Sequence, residues 1–183
     1  MSGDVFGERR QALEDSFFQK RDRELLEKLQ IKLKKEALSA VAGIHDDAVL
    51  GALVELNIGP ETLTALTLVP LIQVAWADGS LDAKERAAVL DAAHESGLAV
   101  GSSSHQILDN WLATPPAAVV FTAWQEYTRS ICGKLAPAAR DSLKQTILNR
   151  ARAIASTTGG VLGIGKISAT EQAVLTQVEL AFE

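Results

Sequence analysis

No stretch of this chain alternates apolar and polar residues as a half-buried strand requires, whereas apolar residues recur at three- and four-residue spacings almost throughout. Val119-Val120-Phe121 is the one β-prone triplet, and it sits inside a stretch whose longer spacing is helical. The chain is thereby confined to an all-α fold. Its glycines, prolines and capping residues decide where the helices are cut.

A long first helix is predicted from about Glu8 to Val41, in a segment rich in Glu, Lys, Arg, Leu and Ala. Phe18, Leu25, Leu26, Leu29, Leu33, Ala37 and Val41 form its apolar stripe, expected to face a core while the charged side meets water. Acidic and basic residues nearly balance in it, so it lacks the dominant basic face of a membrane-lying helix. Peripheral membrane association and pairing with a second copy both stay open, and the oligomeric state is undetermined.

Gly43 is placed to stop that helix, and Asp46 to cap a short one reaching about Asn57 through Val49, Leu50, Leu53, Val54 and Leu56. Pro60 suits the first turn of the next element, and Pro70 must either kink the apolar stretch Glu61 to Ala77 or split it near Thr67. That stretch is apolar round most of its circumference, as a central helix would be. Further helices are predicted from Ala83 to about Ser96, after the Ser102–Ser104 caps, after Thr114-Pro115-Pro116, from Ala138 to Ser156, and from Ser168 to Phe182. Gly159 to Gly165 reads as a loop. The division is a 1–45 amphipathic helix followed by a 46–183 domain of about seven to eight helices.

With 183 residues and 47% apolar content the chain can bury one substantial core. A formal charge of -5 offers no global basic field, which disfavours nucleic acid as a partner. Cys132 is the only cysteine, excluding an internal disulfide and fitting a reducing compartment, with core packing its expected role. Met1 to Lys20 has no continuous apolar run of the secretory kind, so a cytoplasmic location is expected. Leu63 to Ala77, the most apolar run, is too short and too interrupted to span a bilayer.

The most informative stretch is Val74 to Leu90, where an apolar helix ends at Trp76-Ala77, an acidic turn follows, and a second helix opens at once. Asp82-Ala83-Lys84-Glu85 has the form of a capping box, and so does Ser168-Ala169-Thr170-Glu171 late in the chain. Such boxes need no ligand. The first corner also matches the second half of an EF-hand loop, with Asp78, Gly79, Leu81, Asp82 and Glu85 at the fifth, sixth, eighth, ninth and twelfth positions. Its first half is missing, because the first and third positions fall on Val74 and Trp76.

At these residues the chain resembles the tellurite-resistance TerB-like proteins and the related N-terminal region of a membrane-anchored DnaJ-like co-chaperone. The shared pattern is an apolar helix, Ala77-Asp78-Gly79, an acidic residue at Asp82 and Glu85 in the next helix, with a degenerate second copy from Gly165 to Glu171. As an arrangement of helices the match spans roughly residues 60–183. It implies a TerB-like bundle with an internal pseudo-repeat, no established catalysis, and a divalent-cation or acidic-patch site at Asp78, Asp82 and Glu85. The second copy has Ile164 and Ser168 where the first has Asp78 and Asp82, so Glu171 is its only charge and is expected to complete one site rather than build another.

The leading expectation is a non-enzymatic interaction module, in the setting of stress response, that holds calcium or magnesium at Asp78, Asp82, Glu85 and Glu171 and engages a protein partner. The alternative is a structural adaptor without metal, partnered through the N-terminal helix. Gly160 to Lys166 fits most of a phosphate loop, but Ile167 stands where a Ser or Thr hydroxyl is needed and no strand precedes it. Asp91, His94 and Glu95 read as an ordinary solvated face, Trp76, Trp111 and Trp124 as core anchors, and neither His45 nor His105 has a cysteine or acid placed to suggest a triad.

Overall fold

A computed structural model describes the backbone of residues 5–157 and 167–183, and within these ranges the side chains from Phe17 onward. Among the described residues the fold is all-helical. The elements run α1 (Val5–Ala42), α2 (Asp47–Glu55), α3 (Leu63–Leu66), α4 (Val69–Ala75), α5 (Ala83–Glu95), α6 (Ser103–Ala113), α7 (Ala118–Cys132), α8 (Pro137–Ala155) and α9 (Ala169–Leu180).

The breaks fall where backbone chemistry demands them. Pro70 lies in the first turn of α4, where its missing amide hydrogen costs nothing, so the apolar stretch is two helices meeting at Thr67 rather than one kinked rod. Asp46 caps α2 by accepting from the amides of Ala48 and Val49. Gly97, at φ +78, takes the left-handed turn that closes α5.

The helix α4 is central and packs against α5, α7, α8 and α9. Of its seven residues only Gln73 is not buried. On one side of the molecule Ile44, Leu53 and Ile58 join Val120, Trp124, Leu148 and Val178 in one apolar cluster. A second cluster, with Leu68, Leu71 and Ile72 at its centre, gathers Val89, Leu108, Ile154 and Leu175. Trp111 and Val174 border both. Trp124 stacks on Phe121 with ring centroids 5.4 Å apart and meets Phe182 edge-on at 6.2 Å, and Cys132 packs beside them as a buried free thiol. On α7 Val119 points to solvent, while Val120 and Phe121 are buried.

The first helix differs from expectation. Its predicted core stripe is not in the core: Phe18, Leu25, Leu26, Leu29 and Leu33 are 58%, 56%, 58%, 51% and 54% exposed, and Ala37 and Val41 are exposed too. The residue that enters the core is Leu38, at 0%. Leu29 and Leu38 are nine residues apart, and at about 100° per residue that places them on opposite sides of the helix. Among the described residues, the side-chain hydrogen bonds that fasten α1 to the body are at its base. Lys35 Nζ is 2.9 Å from both carboxylate oxygens of Asp47, Ser39 Oγ donates to the Ile44 carbonyl at 2.6 Å, and Lys134 donates to the Gly43 carbonyl. After that the chain turns through 111° into α2.

Candidate functional site

The corner between α4 and α5 is built by local chemistry. The Trp76 carbonyl accepts from the Gly79 amide at 2.9 Å, and Gly79 adopts φ +88, a conformation that an L side chain strains. Asp78 Oδ1 then accepts from the Ser80 amide at 2.9 Å and from its hydroxyl at 3.0 Å, closing an Asx turn. Asp82 is the cap of α5, with Oδ1 accepting from the amides of Lys84 at 2.7 Å and Glu85 at 2.8 Å. Glu85 Oε2 accepts from the Asp82 amide at 3.0 Å, which completes the capping box. The corner is latched to α6 from two sides: Trp76 Nε1 donates to the Trp111 carbonyl at 2.9 Å, and Arg86 donates to the Leu112 carbonyl at 3.1 Å.

The late echo has the same construction. Ser168 Oγ accepts from the Glu171 amide at 3.2 Å, and Glu171 Oε2 accepts from the Ser168 amide at 2.6 Å. In both boxes the glutamate is buried, at 5% for Glu85 and 7% for Glu171, while the cap residue is exposed. Burial of a carboxylate requires compensating donors, and the cap amides supply them. The glycine-rich stretch just before Ser168 lies outside the described residues.

The four residues singled out for a cation therefore occur as an Asx turn and two capping boxes. Asp78, Asp82, Glu85 and Glu171 each direct an oxygen at peptide amides within three residues in sequence. Among the described residues no group of three or more His, Cys, Asp or Glu side chains is gathered closely enough to hold a metal ion.

Elsewhere, Asp91, His94 and Glu95 lie on the exposed face of α5. His105 does have an acid beside it, contrary to expectation: Asp109, one turn on, puts Oδ2 3.0 Å from Nδ1, and the same carboxylate reaches Arg86 at 3.8 Å. The i,i+4 spacing was the available signal. No serine or cysteine side chain accepts from or donates to the His105 ring among the described residues, so the pair lies within α6 without a nucleophile, and Asp109 reaches α5 only through Arg86.

The surface with the most unusual character is the outer part of α1. Between residues 17 and 36 it carries seven Lys or Arg and four Asp or Glu, in a chain of net charge -5. Its apolar stripe runs from Phe18 to Leu33, a length of roughly 22 Å at 1.5 Å per residue. No single helix among the described residues is long and apolar enough to cross a membrane. The one bent pair with a sufficiently apolar window joins α1 to α2, whose Val49, Leu50, Leu53 and Val54 are core residues.

The fold and these sites define a class: an all-helical bundle with two box-capped helix starts and a long, half-attached amphipathic arm. Beyond the class nothing further is assigned, because the chain matches no protein-family model, no curated protein and no solved structure.

Proposed function

We propose that this protein is a non-enzymatic helical adaptor whose bundle displays α1 for pairing with an amphipathic helix of another protein, the simplest such partner being a second copy of itself. The observation that carries this is the exposed stripe Phe18, Leu25, Leu26, Leu29 and Leu33, turned away from the face through which Leu38 anchors the helix. Five large apolar side chains in line on one helix cost solvation that a partner helix would recover. Residues on both flanks are charged, with Arg21, Lys28 and Lys32 on one side and Arg23, Glu27 and Lys34 on the other, five basic and one acidic, and such flanking charges set partner and direction in helix pairs. The resemblance of the Asp78 corner to TerB-like proteins, a fold without established catalysis, supports the non-enzymatic part. So does the use of the corner's carboxylates as caps, which leaves the cation out of the proposed mechanism.

The test is sedimentation equilibrium of the full chain across a wide concentration range, beside Leu25→Glu with Leu29→Glu and a truncation that starts at Lys35. The cut belongs there because Lys35 and Leu38 hold the body. The wild-type chain is expected to associate while both variants stay monomeric with unchanged helical melting. A wild-type chain that remains monomeric at high micromolar concentration, or a charged variant that associates equally, refutes pairing between copies.

A further inference from the structure

A cleft of about 200 Å³ opens between α4, α7 and α8, and none of the residues that line it is acidic. Its walls are the side chains of Leu68, Leu71, Trp124, Ile131, Leu143 and Ile147. The Trp124 wall is held rigid by its stack on Phe121 and its edge contact with Phe182. At the rim, Arg150 donates to Ser96 Oγ at 2.8 Å and approaches Glu95 at 3.9 Å, so the guanidinium is already engaged and ties α8 to the end of α5.

Two hydroxyls lining the cleft have no structural employment, and one of them is buried. Thr128, only 4% exposed, lines the cleft, and its hydroxyl has no hydrogen-bond partner among the described residues. Threonines in helices ordinarily donate to the carbonyl one turn earlier, and Thr122, Thr146 and Thr176 do so here, to Ala118, Ser142 and Gln172. Thr128 does not. No fully enclosed side-chain polar atom of the described residues is left unpaired, so the hydroxyl of Thr128 keeps access to the space it lines. The adjacent Tyr127 also lines the cleft, and its hydroxyl too has no hydrogen-bond partner among the described residues. Burial raises the pKa of that phenol, which keeps it a neutral donor and acceptor.

We propose that this cleft is a binding site for a small, neutral, single-ring aromatic molecule carrying one hydroxyl, with the ring against Trp124, Leu71 and Ile147 and the hydroxyl on Thr128 and Tyr127. The volume suits one substituted ring, since an apolar cavity of about 150 Å³ takes up benzene. An apolar ligand without a hydroxyl would seal Thr128 away from water with nothing to replace it, and leaving a buried hydroxyl unpaired weakens binding severalfold to more than tenfold. A charged ligand would meet no unengaged counter-charge in the cleft.

Calorimetric titration of the full chain with p-cresol and with toluene tests this, because the two differ only in the hydroxyl. p-Cresol is expected to bind about tenfold more tightly than toluene. Thr128→Val, which keeps the shape and removes the hydroxyl, is expected to bring p-cresol down to the toluene level. Ile147→Trp, which fills the cleft, is expected to abolish both, and methyl NMR shifts of Ile131 and Ile147 in the wild type locate the ligand even where that variant folds poorly. Absence of p-cresol binding, a preference that survives Thr128→Val, or ligand-induced shifts away from Ile131 and Ile147 would each overturn the assignment.

Discussion

The two leucines on opposite sides of α1 provide the sharpest check on how this helix is used. Leu38→Ala removes three carbons from a side chain with no exposed surface. At about 0.8 kcal/mol per methylene the transfer loss is roughly 2.4 kcal/mol, and a partly collapsed cavity brings the total to about 3 kcal/mol. Leu29→Ala makes the same chemical change at a position that is 51% exposed, where the expected cost is within about 0.5 kcal/mol. Urea unfolding followed by tryptophan fluorescence, at protein concentrations low enough to exclude pairing between copies, separates the two. With a slope of about 3 kcal/mol per molar urea for a chain of this size, Leu38→Ala lowers the midpoint by about 1 M and Leu29→Ala by less than about 0.2 M. Equal shifts would refute the assignment of sides. A Leu29→Ala loss that appears only as protein concentration rises is the signature of the proposed helix pairing.

Other consequences follow from the caps and the turns. Asp82→Ala removes the acceptor of two amides and is expected to cost about 1 kcal/mol, whereas Asp78→Ala should stay within about 0.5 kcal/mol; calcium or magnesium should leave the melting temperature of the wild-type chain unchanged, and a saturable rise abolished by Asp82→Ala would restore a cation to the corner. Gly79→Ala meets no neighbouring atom within 4 Å, so its cost is the strain of φ +88 alone, roughly 1–2 kcal/mol by thermal melting. Gly133→Ala, at an ordinary helical φ of -61, should be neutral or slightly stabilising in the same assay. Lys144 hydrogen-bonds Glu179 at 2.8 Å and lowers its pKa, so the α8–α9 pair contributes above the ordinary glutamate range and fades as pH falls through the lowered value. Lys144→Met should therefore matter at neutral pH and cease to matter in acid, and a pH-independent effect would show that packing, not charge, is at work.

Much of the architecture was legible in residue order because it is local. Pro70, Gly97, Pro137 and the two S/T/D-x-x-E boxes act within one helical turn, and the structure has breaks and caps at those positions. The inward face of α2, with Val49, Leu50, Leu53 and Val54 buried, follows the same logic, since a helix with one apolar side in a crowded bundle has only one way to turn. The His105–Asp109 pair, although local, went unread because i,i+4 charge pairs are too common on helices to single out.

What sequence alone determined here is therefore the helical content, the positions of most helix ends and the capping chemistry of Asp82 and Ser168. Tertiary structure alone decided three further things: that the Phe18–Leu33 stripe stays outside while Leu38 goes in, that Asp78, Asp82, Glu85 and Glu171 serve separate peptide groups, and that Thr128 faces a cleft with its hydroxyl unused. The physical reason is the same in each case. Periodicity states that a helix has an apolar side and spacing states that carboxylates are near in sequence, but only the placement of the other helices determines which surface is covered and which oxygens or hydroxyls still lack a partner.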